Sequence, residues 1–217
     1  MRPLSFPHDE AVERLCRALD GFGAAARSLD DLALLDPSRC RGWSRLEVVT
    51  HVRLGVEEMA VGTTGLTSGP PDHDAATYWA SHPDDRDEDP VPHLMWLRRV
   101  AGAYGRPSAA VEHLGRALDA AAGAVRAMPE GVAAFQGKRM TTGDFLATWV
   151  VELAVHALDL HTDAEPVGLD WARRTVESVA AAELPALLDD RAAVLVGLGR
   201  VAAPPEPAIP SAFPVHL

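Results

Sequence analysis

The sequence predicts an all-α protein, a four-helix bundle with a long crossover between its second and third helices and extra helices at the C-terminal end. Three observations lead to this reading. Apolar residues recur about every 3.6 positions, while alternating runs of β-branched or aromatic residues are almost absent. Two stretches, "GWSRLEVV" and "TTGDFLA", carry helix-start signatures. Two short-linked helix pairs flank a Pro-, Gly- and Asp-rich connection far longer than a tight turn, as in bundles that contain a crossover.

The first helix is expected from about Asp9 to Arg27, with Val12, Leu15, Cys16, Leu19 and Phe22 on one stripe, which makes Cys16 a core residue. The second starts at Ser44, whose hydroxyl can cap the free N–H groups of the first turn while Glu47 reaches back, and it ends by Gly62 or Gly65. The crossover runs from Thr63 to Pro107 with a helical piece at His93–Tyr104, and a segment of that length reads as a lid or functional connection. A third helix follows Pro107, capped by Ser108, with Val111, Leu114, Leu118, Ala121 and Val125 on its apolar stripe up to Met128. The fourth opens at Thr141 with Asp144 three residues on, a second capping-box pattern, and continues to about Asp163. After Pro166 come a fifth helix at Asp170–Leu188, a short sixth at Arg191–Leu198, and a Pro-rich irregular tail. Residues 1–165 are thus expected to form a metal-binding helical bundle, and residues 166–217 an extension packed on it.

The net charge of −11, with Lys138 the only lysine among 20 basic residues, argues against a nucleic-acid partner, because phosphate recognition needs clustered cations. No apolar run is long enough to span a membrane, and "MRPLSFPHDE" lacks the basic and apolar regions of a signal peptide. Cys16 and Cys40 have neither metal-ligand nor redox spacing. A cytoplasmic monomer or homodimer with reduced thiols is expected, with no membrane or nucleic-acid partner.

The fourth helix carries the chemistry. "WVVELAVHALDL" is apolar on nearly every side except at Glu152, His156 and Asp159. A buried carboxylate needs a proton, a cation or a metal beside it. Glu152 and His156, four residues apart, emerge on one face a turn apart and can bind one ion together. His51, in the middle of the second helix, can face them across a bundle, which would complete a His, Glu, His set with an open fourth position, the composition of a catalytic zinc site. Spacing alone equally allows Glu152 and His156 to hydrogen-bond each other in a core and His51 to be an ordinary partly buried histidine. Asp159, a turn beyond His156, can accept its ring N–H or pair with a nearby arginine. Trp149 reads as core or pocket wall. His73, His82, His93 and His113 show no matching spacing, and His161 stands out only by its nearness to the motif.

The stretches "RGWSRLEVVTHV", "TTGDFLATWVVELAVHALDL" and "AAVLVGLGR" resemble the mycothiol-dependent maleylpyruvate isomerase family of the DinB-like superfamily, over most of residues 8 to 200. The resemblance implies a DinB-like four-helix bundle. It also implies a divalent metal, typically zinc, held by the histidine of the "GW…H" helix and by an E-x-x-x-H motif, here His51, Glu152 and His156. The isomerase proper has a separate C-terminal domain that contributes to catalysis, whereas the stretch after Pro166 here is short and helical, a departure that leaves the substrate open. "ATYWASH" and "HLMWLRRVAGAYG" are expected to cover the site.

Such a site keeps a formal charge of about +1, enough to hold a thiol as thiolate. The resemblance names mycothiol as cosubstrate, attacking a small electrophile in a transferase or isomerase reaction, so neither cysteine needs to act as nucleophile. Two alternatives stand beside it. One is a metal-dependent hydrolase with Glu47 or Glu58 as general base, although Glu47 also serves as cap and Glu58 can be a solvated charge. The other is a noncatalytic bundle that binds a small ligand or a metal.

Overall fold

The computed structural model describes residues 2–81 and 89–217. The chain is mostly helical, as expected. Four long helices form the bundle: α1 (His8–Arg27), α3 (Arg45–Gly62), α6 (Pro107–Ala127) and α7 (Thr142–Asp159). α1 packs against α6 and α7, and α3 against α6 and α7. Short helices fill the connections: α2 (Asp31–Leu35) before α3, then α4 (Ala75–Ala80) and α5 (Val91–Gly102) in the crossover. α8 (Leu169–Ala180) and α9 (Asp190–Gly197) pack on each other and on α7, and one buried apolar core reaches from Leu4 to Leu198.

α7 lies at the centre, with α1, α3, α4, α8 and α9 all against it, which accounts for its all-round apolar sequence. Of its 18 residues, all but Glu152 are buried. Its start is tied to the N-terminal segment. The Thr141 hydroxyl accepts from Asp144 N–H at 3.1 Å, but the Asp144 carboxylate turns away from a reciprocal cap and accepts instead from Phe6 N–H at 2.8 Å and Ser5 Oγ at 3.1 Å. The segment passes so close that a Cβ on Gly143 would lie 2.1 Å from the Phe6 carbonyl oxygen. Only glycine fits there.

α3 begins as read, with Ser44 and Glu47 forming a full capping box. α6 does not. Its N-cap is Arg106, and Ser108 is no cap; its N–H donates to Asp31 Oδ1 of α2 at 2.7 Å, so a carboxylate from another helix satisfies the first turn. α7 ends at Asp159 and not at Asp163, with His161 left-handed at φ 56°. α8 stops at Ala180, well short of Leu188, because Ala181 turns left-handed at φ 54° and Arg173 gathers the carbonyls of Leu184, Pro185 and Leu188 at 2.8–3.2 Å to hold the loop against the helix.

The sequence reading contains no strands, yet a small antiparallel sheet is present. β2 (Val132–Phe135) and β3 (Lys138–Thr141) form a hairpin, and β1 (Leu66–Thr67) adds to the outer edge of β2. Its two-residue turn, Gln136-Gly137, has φ of 48° and 75°, the paired left-handed conformation of a type I′ turn. Strands of four residues or fewer carry too few positions to show alternation.

Candidate metal centre

α3 and α7 bring His51, Glu152 and His156 together. His51 Nε2 lies 2.9 Å from Glu152 Oε1, and His156 Nε2 lies 3.2 Å from the same oxygen. One ligand-type atom from each residue falls within 4.8 Å of the others, and the two imidazoles meet edge to face with centroids 4.8 Å apart. Trp43, just before the α3 cap, closes one wall: its ring stacks nearly parallel to His156 at 6.3 Å and tilts against His51 at 5.0 Å. His93 of α5 approaches the same indole at 6.2 Å, so this crossover helix does reach the site.

Behind His156, Asp159 is fully buried and accepts from three sides. His156 Nδ1 and the Cys40 thiol each lie 3.0 Å from its Oδ2, and Arg200 Nε donates to Oδ1 at 3.1 Å. The loop that carries Cys40 is pinned to the end of α7 by Arg39, whose N–H donates to the Asp159 carbonyl at 3.2 Å and whose guanidinium donates to the Leu158 carbonyl. Both alternatives read for Asp159, a histidine and an arginine, occur at once. Cys40 and Arg200 were missed, because each lies far from the motif in sequence and carries no spacing signal.

The electrostatics follow from these contacts. Burial opposes the charge of Glu152, but the positive charge and hydrogen bond of His156, with the bond from His51, outweigh it and hold the carboxyl well below its usual range. Burial likewise opposes the charge of His156, yet Glu152 on one ring nitrogen and Asp159 near the other raise it well above an ordinary histidine. His51 moves the opposite way: burial lowers it despite the Glu152 hydrogen bond. Burial pushes the Cys40 thiol up, only partly offset by His156, so Cys40 is held as a thiol.

Cys40, His156 and Asp159 form a second set of converging ligand-type atoms. A cation there would sit against the Arg200 guanidinium, whereas the first set has an acidic centre flanked by two imidazoles. The first set is the better cation site, and the second set holds His156 from behind.

The remaining residues singled out from sequence lie elsewhere. Glu47 is bound by Ser44 and by Arg98 Nε at 2.8 Å. Glu58 accepts from Gln136 Nε2 at 3.1 Å, on the hairpin side. Trp149 is buried, its ring against Gly55 of α3 and Phe135 of β2. His73 pairs with Asp72, His113 with Tyr104, and His161 is exposed; His82 lies outside the described residues. A cavity of about 100 Å³ adjoins the centre, lined by Glu152, His156, Trp79, Arg200 and tail residues including His216. Among the described residues, no helix is long and apolar enough to cross a membrane.

The chain resembles known proteins over most of its length. Two crystal structures of the mycothiol-dependent maleylpyruvate isomerase, one of them a histidine-to-alanine mutant, share its fold. They align with TM-scores of 0.53 and, for the mutant, 0.52, at 16% and 15% identity, covering 78% and 81% of this chain and 68% of each of theirs. No curated protein sequence matches. Residues 12–161 match the family described as the mycothiol maleylpyruvate isomerase N-terminal domain, and this span contains the four bundle helices from the second turn of α1 onward, together with His51, Glu152, His156 and Asp159. The chain belongs to the mycothiol maleylpyruvate isomerase N-terminal domain family.

Proposed function

We propose that this protein is a metal-dependent enzyme that uses mycothiol to transfer a thiol to, or isomerise, a small electrophile. The observation that carries this reading is the convergence of His51, Glu152 and His156. The donor set fits a divalent ion. Ligands about 2.0–2.1 Å from a tetrahedral zinc ion stand roughly 3.3 Å apart, and the His51–Glu152 and His156–Glu152 separations are 2.9 and 3.2 Å. Two imidazoles with one carboxylate and a free fourth position are the composition of catalytic zinc sites. Bound there, such an ion supplies Lewis acidity that favours a thiol as its thiolate at neutral pH.

This chain's own residues do the rest. Asp159 accepts the Nδ1 proton of His156 and so turns Nε2 toward Glu152 and His51. Trp43 borders both imidazoles on one side, nearly parallel to the His156 ring and tilted against that of His51. Cys40 is engaged with Asp159 and Cys16 is buried in α1, so the reacting sulfur comes from the cosubstrate. Hydrolysis is less well supported, since Glu47 is tied down by Ser44 and Arg98 and Glu58 by Gln136. The test is metal analysis of the purified protein, followed by substrate conversion with a panel of electrophiles, with and without mycothiol. The zinc-loaded protein should convert a substrate only with the thiol present, consuming it in a transfer and regenerating it in an isomerisation, and His156→Ala should abolish conversion with helical content retained. Turnover of the same panel without any thiol would overturn the assignment in favour of a hydrolase, and inactivity in both assays would favour a binding bundle.

A further inference from the structure

We propose that Arg200, outside the matched family domain, is a positioning residue of the centre that acts on His156 through Asp159. This rests on the metal-site reading above, and it ties the C-terminal segment to that site.

Arg200 follows α9 and is anchored by its own backbone, its N–H donating to the Leu195 carbonyl at 2.8 Å. Its guanidinium reaches α7 and donates to Asp159 through Nε at 3.1 Å. Asp159 shows no exposed surface, and its only other side-chain donors among the described residues are His156 and Cys40. A buried carboxylate that faced only an imidazole and a thiol would lack a permanent cation, because Cys40 is a neutral donor and the proton of His156 is the one a metal ligand must give up at Nε2. Arg200 is the permanent cation that hydrogen-bonds the Asp159 carboxylate, while the Arg39 guanidinium nearby is taken up by the Leu158 carbonyl. The hydrogen bond and charge of Arg200 hold the Asp159 carboxylate where it accepts from His156 Nδ1, and that contact turns Nε2 toward Glu152 and His51. A residue at 200 that cannot donate to Asp159 would free the carboxylate to rotate, and the His156 ring would lose its orientation.

Arg200 also lines the small cavity beside Glu152 and His156, so it has a second place from which to act, by direct contact with substrate. The two roles separate in measurement: a residue that works through Asp159 changes metal affinity and becomes redundant once Asp159 is gone, whereas a substrate contact changes KM alone.

The experiment measures zinc dissociation constants by chelator competition for the full chain and for Arg200→Gln, Arg200→Lys, Asp159→Asn and the double variant Asp159→Asn/Arg200→Gln. The cobalt-substituted absorption spectrum and ¹⁵N NMR of the His156 ring are recorded on each. Arg200→Gln and Asp159→Asn should each weaken zinc binding by about 10- to 100-fold, the range for loss of a partner behind a metal ligand. Arg200→Lys should recover most of the loss, and the double variant should be no weaker than Asp159→Asn alone, because both substitutions cut the same chain of contacts. In the metal-free protein, at a pH above the raised His156 value where the ring is neutral, His156 should show one ring tautomer, and Arg200→Gln should mix the two. Unchanged affinity and cobalt spectrum in Arg200→Gln, with a raised KM, would overturn the proposal in favour of substrate contact. Additive losses in the double variant would overturn it too. If the unsubstituted chain takes up no zinc, the metal-site reading falls, and the His156 tautomer then decides this inference by itself.

Discussion

His156 carries the centre because each of its ring nitrogens faces a carboxylate, Glu152 at Nε2 and Asp159 at Nδ1. That arrangement favours a proton on both nitrogens, which is why the imidazole titrates well above an ordinary histidine. A metal bound as proposed would have to displace the Nε2 proton, so protons and zinc would compete at one atom. The sign follows: apparent zinc affinity should rise with pH, about tenfold per unit for each proton displaced. Because the His156 value is raised, the climb should continue above pH ~6.5, where an ordinary histidine has already titrated. In the metal-free chain the same proton stabilises the fold; its contribution is complete below pH ~6.5 and fades as pH rises through the elevated value. Chelator competition at several pH values between 6 and 8 checks the first point, and a flat profile would show that His156 holds no proton there. Glu152 and His156 were legible in sequence because they interrupt an apolar helix at one-turn spacing. His51 was legible only as a candidate, since no local pattern says which face of α3 meets α7. Cys40 and Arg200 had no role legible in sequence, although Arg200 closes the "AAVLVGLGR" stretch, because three-dimensional packing alone brings them to Asp159.

At the level of elements, the position of α7 decides whether the centre forms. Its N-terminal turn is locked by Asp144 to Phe6 and Ser5, and Gly143 lets that segment pass against the helix. Gly143→Ala places a methyl group against the Phe6 carbonyl, where backbone must move, and should lower stability by about 1–3 kcal/mol, the usual range for overpacking. Denaturant unfolding measures this, and an unchanged midpoint would mean that the N-terminal segment gives way freely. The long helices were readable because their stripes and caps are local: the Ser44–Glu47 box sets the start of α3, and Pro107 that of α6. What escaped had non-local causes. The cap of α6 comes from Asp31, the end of α8 from a left-handed alanine and the reach of Arg173, and the hairpin from a two-residue turn between strands too short for a periodic signal.

Across the whole molecule, the centre joins parts that are remote in sequence. α3 brings His51, α7 brings Glu152 and His156, the loop before α3 brings Trp43 and Cys40, and the end of α9 brings Arg200. An ion held by His51 and the two α7 residues would therefore crosslink the two halves of the bundle, and unfolding would have to release it. Linkage gives the size of the effect: at free zinc a hundredfold above Kd, a site present only in the folded chain adds about 2.7 kcal/mol. For a chain of this length that is a rise of about 5–11 °C in Tm. Calorimetry of the zinc-loaded and chelator-treated protein should show this shift. His51→Ala should remove it while leaving the metal-free Tm nearly in place, because His51 is only partly buried and, among the described residues, its one side-chain hydrogen bond goes to Glu152. Equal Tm values with and without zinc would show that no ion binds preferentially to the folded chain, and a zinc shift that persists in His51→Ala would show that the ion does not bridge α3 and α7.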